Sequence, residues 1–520
     1  MNGESVSAGK NMVATSQPLA VQAAIDVLQA GGNAVDAAVC AAAMLGVVEP
    51  MSTSIGGDCF AIVYEAKTGK LHGLNGSGRA PKAACLQDVR MAGHRSMPTQ
   101  GVLSVSVPGA LHAWQSLLER VGSKTLGELL QPAIRAAQDG FEVTPIIARD
   151  WATQQTELER GVNTRIYLPG GAPPKAGEVF CQPELARSLT LIADDGIKAF
   201  YDGPLSEAIV LQSKRLGGWL TQADFVEHTS SWVEPISTNY RGYQVCEIPP
   251  NGQGIVTLQS LNLLQAFALA DLDDAQRRHL QIEATKLSFA DAWRFVADPE
   301  VVDVPVAELL SKPYTQARRA LIGETALKDP SHGFPCSDTI YITVVDAAGN
   351  AASLINSVFH HFGAKVVAER TGILLQNRAA LLSLDPDHPN ALAPGKRPYH
   401  TIIPPMVMKD EKPWLCFGVV GGYMQPQAQT QILCNLIDLG MDVDEAVQAP
   451  RFRWIEKDKV TLEEGMADGV RQDLEQRGHR LIPVEGHGGF GGAKAILIDP
   501  ESGGLQGASD HRKDGCVMAC

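Results

Sequence analysis

The spacing of apolar and polar positions changes character along this chain. Within residues 16–46, Leu19, Ala23, Val27 and Leu28 recur at helical spacing. Ser16 stands where an N-cap belongs, Pro18 lies in the first turn, and Gly31-Gly32 closes the helix. Ala37 to Leu45 then forms a second, Ala-rich helix, so this stretch reads as a helical hairpin. SIGGDCFAIVYE (54–65) reads as a glycine turn entering a strand, and KLHGLNGSGRAP (70–81) as a second strand with a glycine-rich exit. From about 108 to 330 helical periodicity dominates, most clearly over 125–140, closed by Gly140, and over 276–296.

Residues 323–338 break all periodicity and read as an exposed loop rich in Gly, Pro and Ser. At Thr339 the pattern turns β-branched. TIYITVVD and NAASLINSVF predict a hairpin joined at Ala347-Ala348-Gly349. Strands are expected at TGILLQN, TIIPPMVM, WLCFGVV, 458–463, 479–485 and 493–498, with a helix near 426–441. Helices therefore dominate the first part and strands the last.

At 520 residues, length alone points to two to four domains, although α/β units can hold more. A net charge of −14, with no basic run, argues against a nucleic-acid partner. The ten cysteines are scattered, with no Cys-x-x-Cys pair, and Cys416 sits in an apolar run as a small hydrophobe. That usage favours a reducing compartment. The N-terminal residues lack an apolar stretch of signal-peptide length, and the run 34–48 is interrupted by Asp36 and too short to span a bilayer. The expectation is a cytoplasmic protein without a membrane segment.

Several patterns invite chemistry. Gly486, Gly488 and Gly491 match Gly-x-Gly-x-x-Gly, but a strand rather than a helix is expected next, so a dinucleotide site is not expected. His360-His361, read as strand residues, point to opposite faces and cannot easily share a metal. No His-Glu-x-x-His or Gly-x-Ser-x-Gly pattern occurs. No cofactor and no metal are expected. Gly421-Gly422, after an apolar strand, is either a plain turn or a pair of backbone donors for an oxyanion. Thr339 follows a flexible loop and opens a strand. Attack of its hydroxyl on the Asp338 carbonyl, an N-to-O acyl shift and hydrolysis would leave Thr339 with a free α-amine. Such an amine titrates near pH 7.7–8.0 when unperturbed and can act as general base.

The segment GGNAVDAAVCAAAMLGVVEPMSTSIGGDCF resembles the N-terminal signature of the γ-glutamyltransferase family of N-terminal nucleophile hydrolases. The likeness continues through VPGALHAW, YRGYQVCEIPPNGQG, DTIYITVVDAAGNAASLINS, GKRPYHTIIPPMV, GGYMQPQ and GASDHR, nearly the whole chain. The resemblance implies an α+β fold, a four-layer αββα sandwich, cut between Asp338 and Thr339 into a large subunit (1–338) and a small one (339–520). It implies Thr339 as nucleophile, Ser357 as its supporting hydroxyl, and Gly421 and Gly422 as oxyanion donors. The two subunits are expected to remain associated, and a homo-oligomer of the pair is left open.

The substrate positions depart from the family pattern. The family's carboxylate-binding arginine falls at Ser77, with Arg79 two residues on. Its asparagine falls at Phe359, its ammonium-binding aspartate at Leu381, and its paired serines at His400 and Thr401. The site loses an anion and gains a cation, Arg378, whose planar fork suits a carboxylate. Arg378, His400, Thr401, Asn356 and Arg79 are the candidate substrate-binding residues. The pattern is similar to the oxamate-amidohydrolase branch, which implies release of ammonia from a small carboxylate-bearing amide in purine and ureide breakdown. Hydrolysis of γ-glutamyl amides or cephalosporin-type acyl amides is the enzymatic alternative. An uncut binding protein is the alternative outside catalysis.

Overall fold

The computed structural model describes residues 6–7, 10–328, 339–484 and 489–520. Asp338, the residue expected at the cleavage point, lies outside the described residues, as do Gly486 and Gly488.

Two seven-stranded sheets face each other. The first runs, in spatial order, Val6–Ser7, Leu505–Ser509, Ala493–Ile498, Lys412–Val419, Met406–Lys409, Tyr243–Glu247, Ile236–Tyr240. The second runs Cys516–Ala519, Met12–Thr15, Ile340–Val345, Ala351–Ser357, Asp58–Glu65, Lys70–Gly76, Ser231–Val233. Period-two alternation decides which side chains meet which layer. On Asp58–Glu65, Phe60, Ile62 and Tyr64 enter the core between the sheets, while Cys59, Ala61 and Val63 pack outward. Gly418 lets the sheets close: a Cβ there would lie 2.4 Å from the Tyr341 ring.

Helices cover both outer faces, giving the αββα order. Pro18–Gln29 and the wholly buried Ala34–Val48 pack on the second sheet. Asn33 caps the latter in a capping box with Asp36. Gly254–Leu264, Asp274–Phe295 and Met424–Ile437 pack on the first sheet. Strands from before and after position 338 interleave: Met12–Thr15 is hydrogen-bonded between Ile340–Val345 and Cys516–Ala519. Among the described residues no helix is long and apolar enough to cross a membrane, and the nine described cysteines are free thiols.

The structure corrects several element expectations. Gln17, not Ser16, is the N-cap, and Ser16 instead donates to Glu49 Oε2 at 2.5 Å, because that buried carboxylate needs donors. TGILLQN forms no strand. It carries isolated bridges, Leu375 to Gly56 and Leu374 to Val367, because Gly372 at φ +66° turns the chain. In TIIPPMVM only Met406–Lys409 is a strand, since Pro404 and Pro405 have no N–H to offer a ladder. His360 and His361 are not strand residues, because the strand ends at Ser357 and Phe359 takes φ +81°. The helical stretch 108–330 also contributes five short strands, of which Ser231–Val233 and Ile236–Tyr240 are edges of the two large sheets.

Candidate active site

Three neighbouring strands of the second sheet build the site at one end. Ile340 pairs with Asn356, and Ser357 pairs with Asp58. Tyr341, Ile355 and Phe60 point between the sheets, so the same periodicity directs Thr339, Ser357 and Asp58 there too. All three are fully buried.

Thr339 Oγ1 lies 3.3 Å from Ser357 Oγ. Ser357 Oγ accepts from the Phe359 backbone N–H at 2.9 Å and from Arg378 Nη2 at 3.3 Å. Either hydroxyl can be the donor in the Thr339–Ser357 contact.

Arg378 is the unusual group. It is fully buried at the start of a short 3₁₀ turn, Arg378–Leu381. Nη1 donates to Thr401 Oγ1 at 2.7 Å, Nη2 to Ser357, and the buried Nε has no partner among the described residues. The guanidinium lies 4.6 Å from the centre of the Phe359 ring, a cation–π contact. Among the described residues its direct hydrogen-bond partners are hydroxyls, not carboxylates. Burial pulls its pKa down to about 10, against the pull of the Asp58 charge.

Asp58 is fully enclosed by donors. Oδ1 accepts from Gly78 N at 2.9 Å and Gln376 Nε2 at 2.8 Å, and Oδ2 from His400 Nε2 at 2.9 Å. Burial pushes this carboxyl up, but the His400 hydrogen bond, neighbouring positive charge and Gln376 outweigh it, and its pKa falls below the ordinary value. For His400, burial and then the Arg378 charge lower the pKa to about 4, against the pull of Asp58. At neutral pH the pair is a carboxylate accepting from a neutral imidazole.

Gly421 and Gly422, at φ +109° and +56°, turn the chain between the strand Lys412–Val419 and the helix Met424–Ile437. Their carbonyls accept from Met424 N and Gln425 N, while neither glycine N–H donates to a described residue. Gln253 Nε2 donates to Gly422 O at 2.9 Å and to Thr401 O at 2.7 Å. One glutamine thereby ties the glycine turn to the chain Thr401–Arg378–Ser357–Thr339.

The remaining candidates are placed as follows. Asn356 points to the outer face, donating to Thr53 Oγ1 and Ser54 O, and its buried Oδ1 has no partner among the described residues. Arg79 is part of a separate ion cluster, 2.7 Å from Glu300 and 3.4 Å from Asp298. No hydrogen bond joins it to the Arg378 group, because its neighbours are carboxylates of the 298–300 segment. Ser77 bonds Asn75 and Asn251. His360 is packed on Phe359 with ring centres 4.1 Å apart and His361 is half-buried. Elsewhere, His279, Glu283 and His479 form the one described cluster with metal-ligand chemistry. Glu283 there already holds the Lys286 ammonium at 2.7 Å. Sequence reasoning missed Asp58, Gln253 and Gln376. The available signal for Asp58 was a lone acid at the head of an apolar run, in phase with Phe60 and Ile62.

The gamma-glutamyltranspeptidase family model matches residues 20–520. The chain is 39% identical to a glutathione hydrolase-like YwrD proenzyme of Bacillus subtilis, over 99% of each chain. It is 34% identical to an oxamate amidohydrolase proenzyme of Klebsiella pneumoniae, over 97% of this chain and 98% of that protein. The crystal structure of a cephalosporin acylase from Bacillus halodurans superposes with a TM-score of 0.95 at 43% identity, covering 99% of this chain and 97% of that one.

Proposed function

Because the chain belongs to the gamma-glutamyltranspeptidase family of self-processing amide hydrolases, we propose that it cleaves itself after Asp338 and then hydrolyses a small amide that carries a carboxylate. The fragments are 1–338 and 339–520. Thr339 Oγ1 attacks the amide carbon and its new α-amine takes the proton. The Gly421 and Gly422 N–H groups receive the oxyanion. The α-ammonium returns that proton to the leaving nitrogen, which departs as ammonia or an amine, and water resolves the acyl-enzyme.

The observation that carries the substrate class is Arg378, a buried cation with an unpartnered Nε, one serine oxygen away from the nucleophile. Thr339 Oγ1 and Arg378 Nη2 are no further apart than two 3.3 Å contacts allow. A carboxylate on Arg378 then brings an amide carbon near Thr339 only if few atoms separate the two groups. Oxamate, in which they are adjacent, is the leading candidate. A γ-glutamyl amide also needs an anion for its ammonium, and Leu381 and Phe359 offer none.

The 43% identity to a cephalosporin acylase favours a second reading, a longer carboxylated acyl chain on the same arginine. Turnover of a ladder of ω-carboxy amides, oxamate through glutaramate, beside glutathione, separates the readings. In that assay Arg378→Ala is expected to raise KM about 10- to 100-fold, the value of a charge-assisted hydrogen bond. An unchanged KM removes Arg378 from the substrate site.

A further inference from the structure

The carboxylate reading of the site leaves a question of charge. A buried guanidinium is costly without a counter-charge, yet a protein carboxylate bonded to it would occupy the seat a substrate carboxylate needs. We propose that Asp58 and His400 resolve this as a positioning pair: Asp58 supplies the counter-charge for Arg378 from one residue away, and the His400 imidazole stands between Asp58 and the segment that carries Thr401.

The geometry supports each part. Asp58 sits directly across from Ser357 in the strand register, so its charge lies beside the serine that Arg378 bonds. Its two oxygens are filled by Gly78 N, Gln376 Nε2 and His400 Nε2. Filled in this way, it stays ionised without reaching for the guanidinium. The Asp58 bond occupies His400 Nε2, and Ile402 N approaches Nδ1 at 3.4 Å. The ring packs tilted against Phe60, with ring centres 4.5 Å apart. It has no nitrogen left for substrate, so its role is positional. The next residue, Thr401, then meets Arg378 Nη1 at 2.7 Å. The backbone on the other side is pinned as well, by His400 N to Asn251 O and Gln253 N to His400 O. Arg378 is left charged, held by hydroxyls and open at Nε to an incoming anion. The pair therefore determines selectivity for anionic over neutral acyl groups.

The test compares kcat/KM for a carboxylate amide, oxamate or its longer homologue, with that for the uncharged methyl ester amide of the same acid. Self-cleavage of each variant reports whether the site folds. Asp58→Asn keeps the shape and removes the charge. It is expected to raise the carboxylate-to-ester preference about tenfold, through a lower KM for the carboxylate, because the substrate anion then meets Arg378 without repulsion from Asp58. His400→Gln, which retains an N–H for Asp58, is expected to keep most of the preference, and His400→Leu to lose it. Equal preference in wild type and Asp58→Asn, or in the Gln and Leu variants, overturns the pair. If Asp58→Asn does not fold, the two His400 variants decide alone. A wild-type enzyme with no preference for the carboxylate instead sinks the substrate reading on which this inference rests, whatever the variants do.

Discussion

At the scale of single residues, Ser357 Oγ joins Thr339, the proposed nucleophile, to Arg378, the proposed substrate cation, through one oxygen. Ser357→Ala removes the hydroxyl partner of Thr339 Oγ1 and one acceptor of Arg378 together. It is expected to slow both self-cleavage and turnover by about 10-fold or more, the worth of one or two hydrogen bonds, whereas Ser357→Thr restores most of each. A time course of the precursor band and steady-state rates check this, and an alanine variant as fast as the parent contradicts it. Thr339, Ser357 and Arg378 were reachable from the sequence because each stands at a motif position. Asp58 was not, because its importance comes from strand register: only the pairing with Ser357 shows that it faces the reacting group. Arg79 shows the converse. Proximity in sequence to the departed family position drew attention to it, but the chain folds it into the Asp298 and Glu300 cluster.

At the scale of elements, the glycine turn and the hairpin 340–357 hold the residues of the proposed chemistry. Gly421 at φ +109° occupies backbone space that L side chains rarely adopt, and a Cβ would lie 3.2 Å from Gly491 Cα. Gly421→Ala is expected to displace the turn's N–H groups and lower kcat by about 10²- to 10³-fold with little change in KM. A large KM effect with normal kcat would mean that the turn binds substrate and does not stabilise an oxyanion. Elements with strong local signals were legible: the capping box at Thr125 and Glu128 starts the helix Leu126–Asp139, and β-branched alternation marks Ile340–Val345. TGILLQN was misread because apolar content says buried, and a buried turn tied by two isolated bridges looks the same in sequence as a buried strand. Short edge strands such as Ser231–Val233 were hidden because three half-buried residues leave no period to detect.

At the scale of the whole molecule, interleaving and buried imidazoles set the behaviour. Each sheet holds strands from both sides of position 338, so the two fragments are expected to co-elute after cleavage and to separate only in denaturant. Burial holds His228 and His360 to pKa values of about 3, His400 to about 4 and His479 to about 2. Each lies below the unfolded value near 6.5, so unfolding takes up protons below that pH. The resulting stability is complete above about pH 6.5 and is lost as pH falls through it toward 4, by about 1.4 kcal/mol per pH unit for each group. Thermal melts from pH 7.5 to 5 are expected to show Tm dropping below about 6.5, and a flat Tm would mean that these rings titrate normally. The most direct measurement is intact mass with N-terminal sequencing of the purified protein and its Thr339→Ala variant. Two fragments in the parent, the shorter beginning Thr339-Ile340-Tyr341, and a single chain in the variant are the predicted result. A parent that stays whole after long incubation, or a cut elsewhere, contradicts the assignment of Thr339 as the nucleophile.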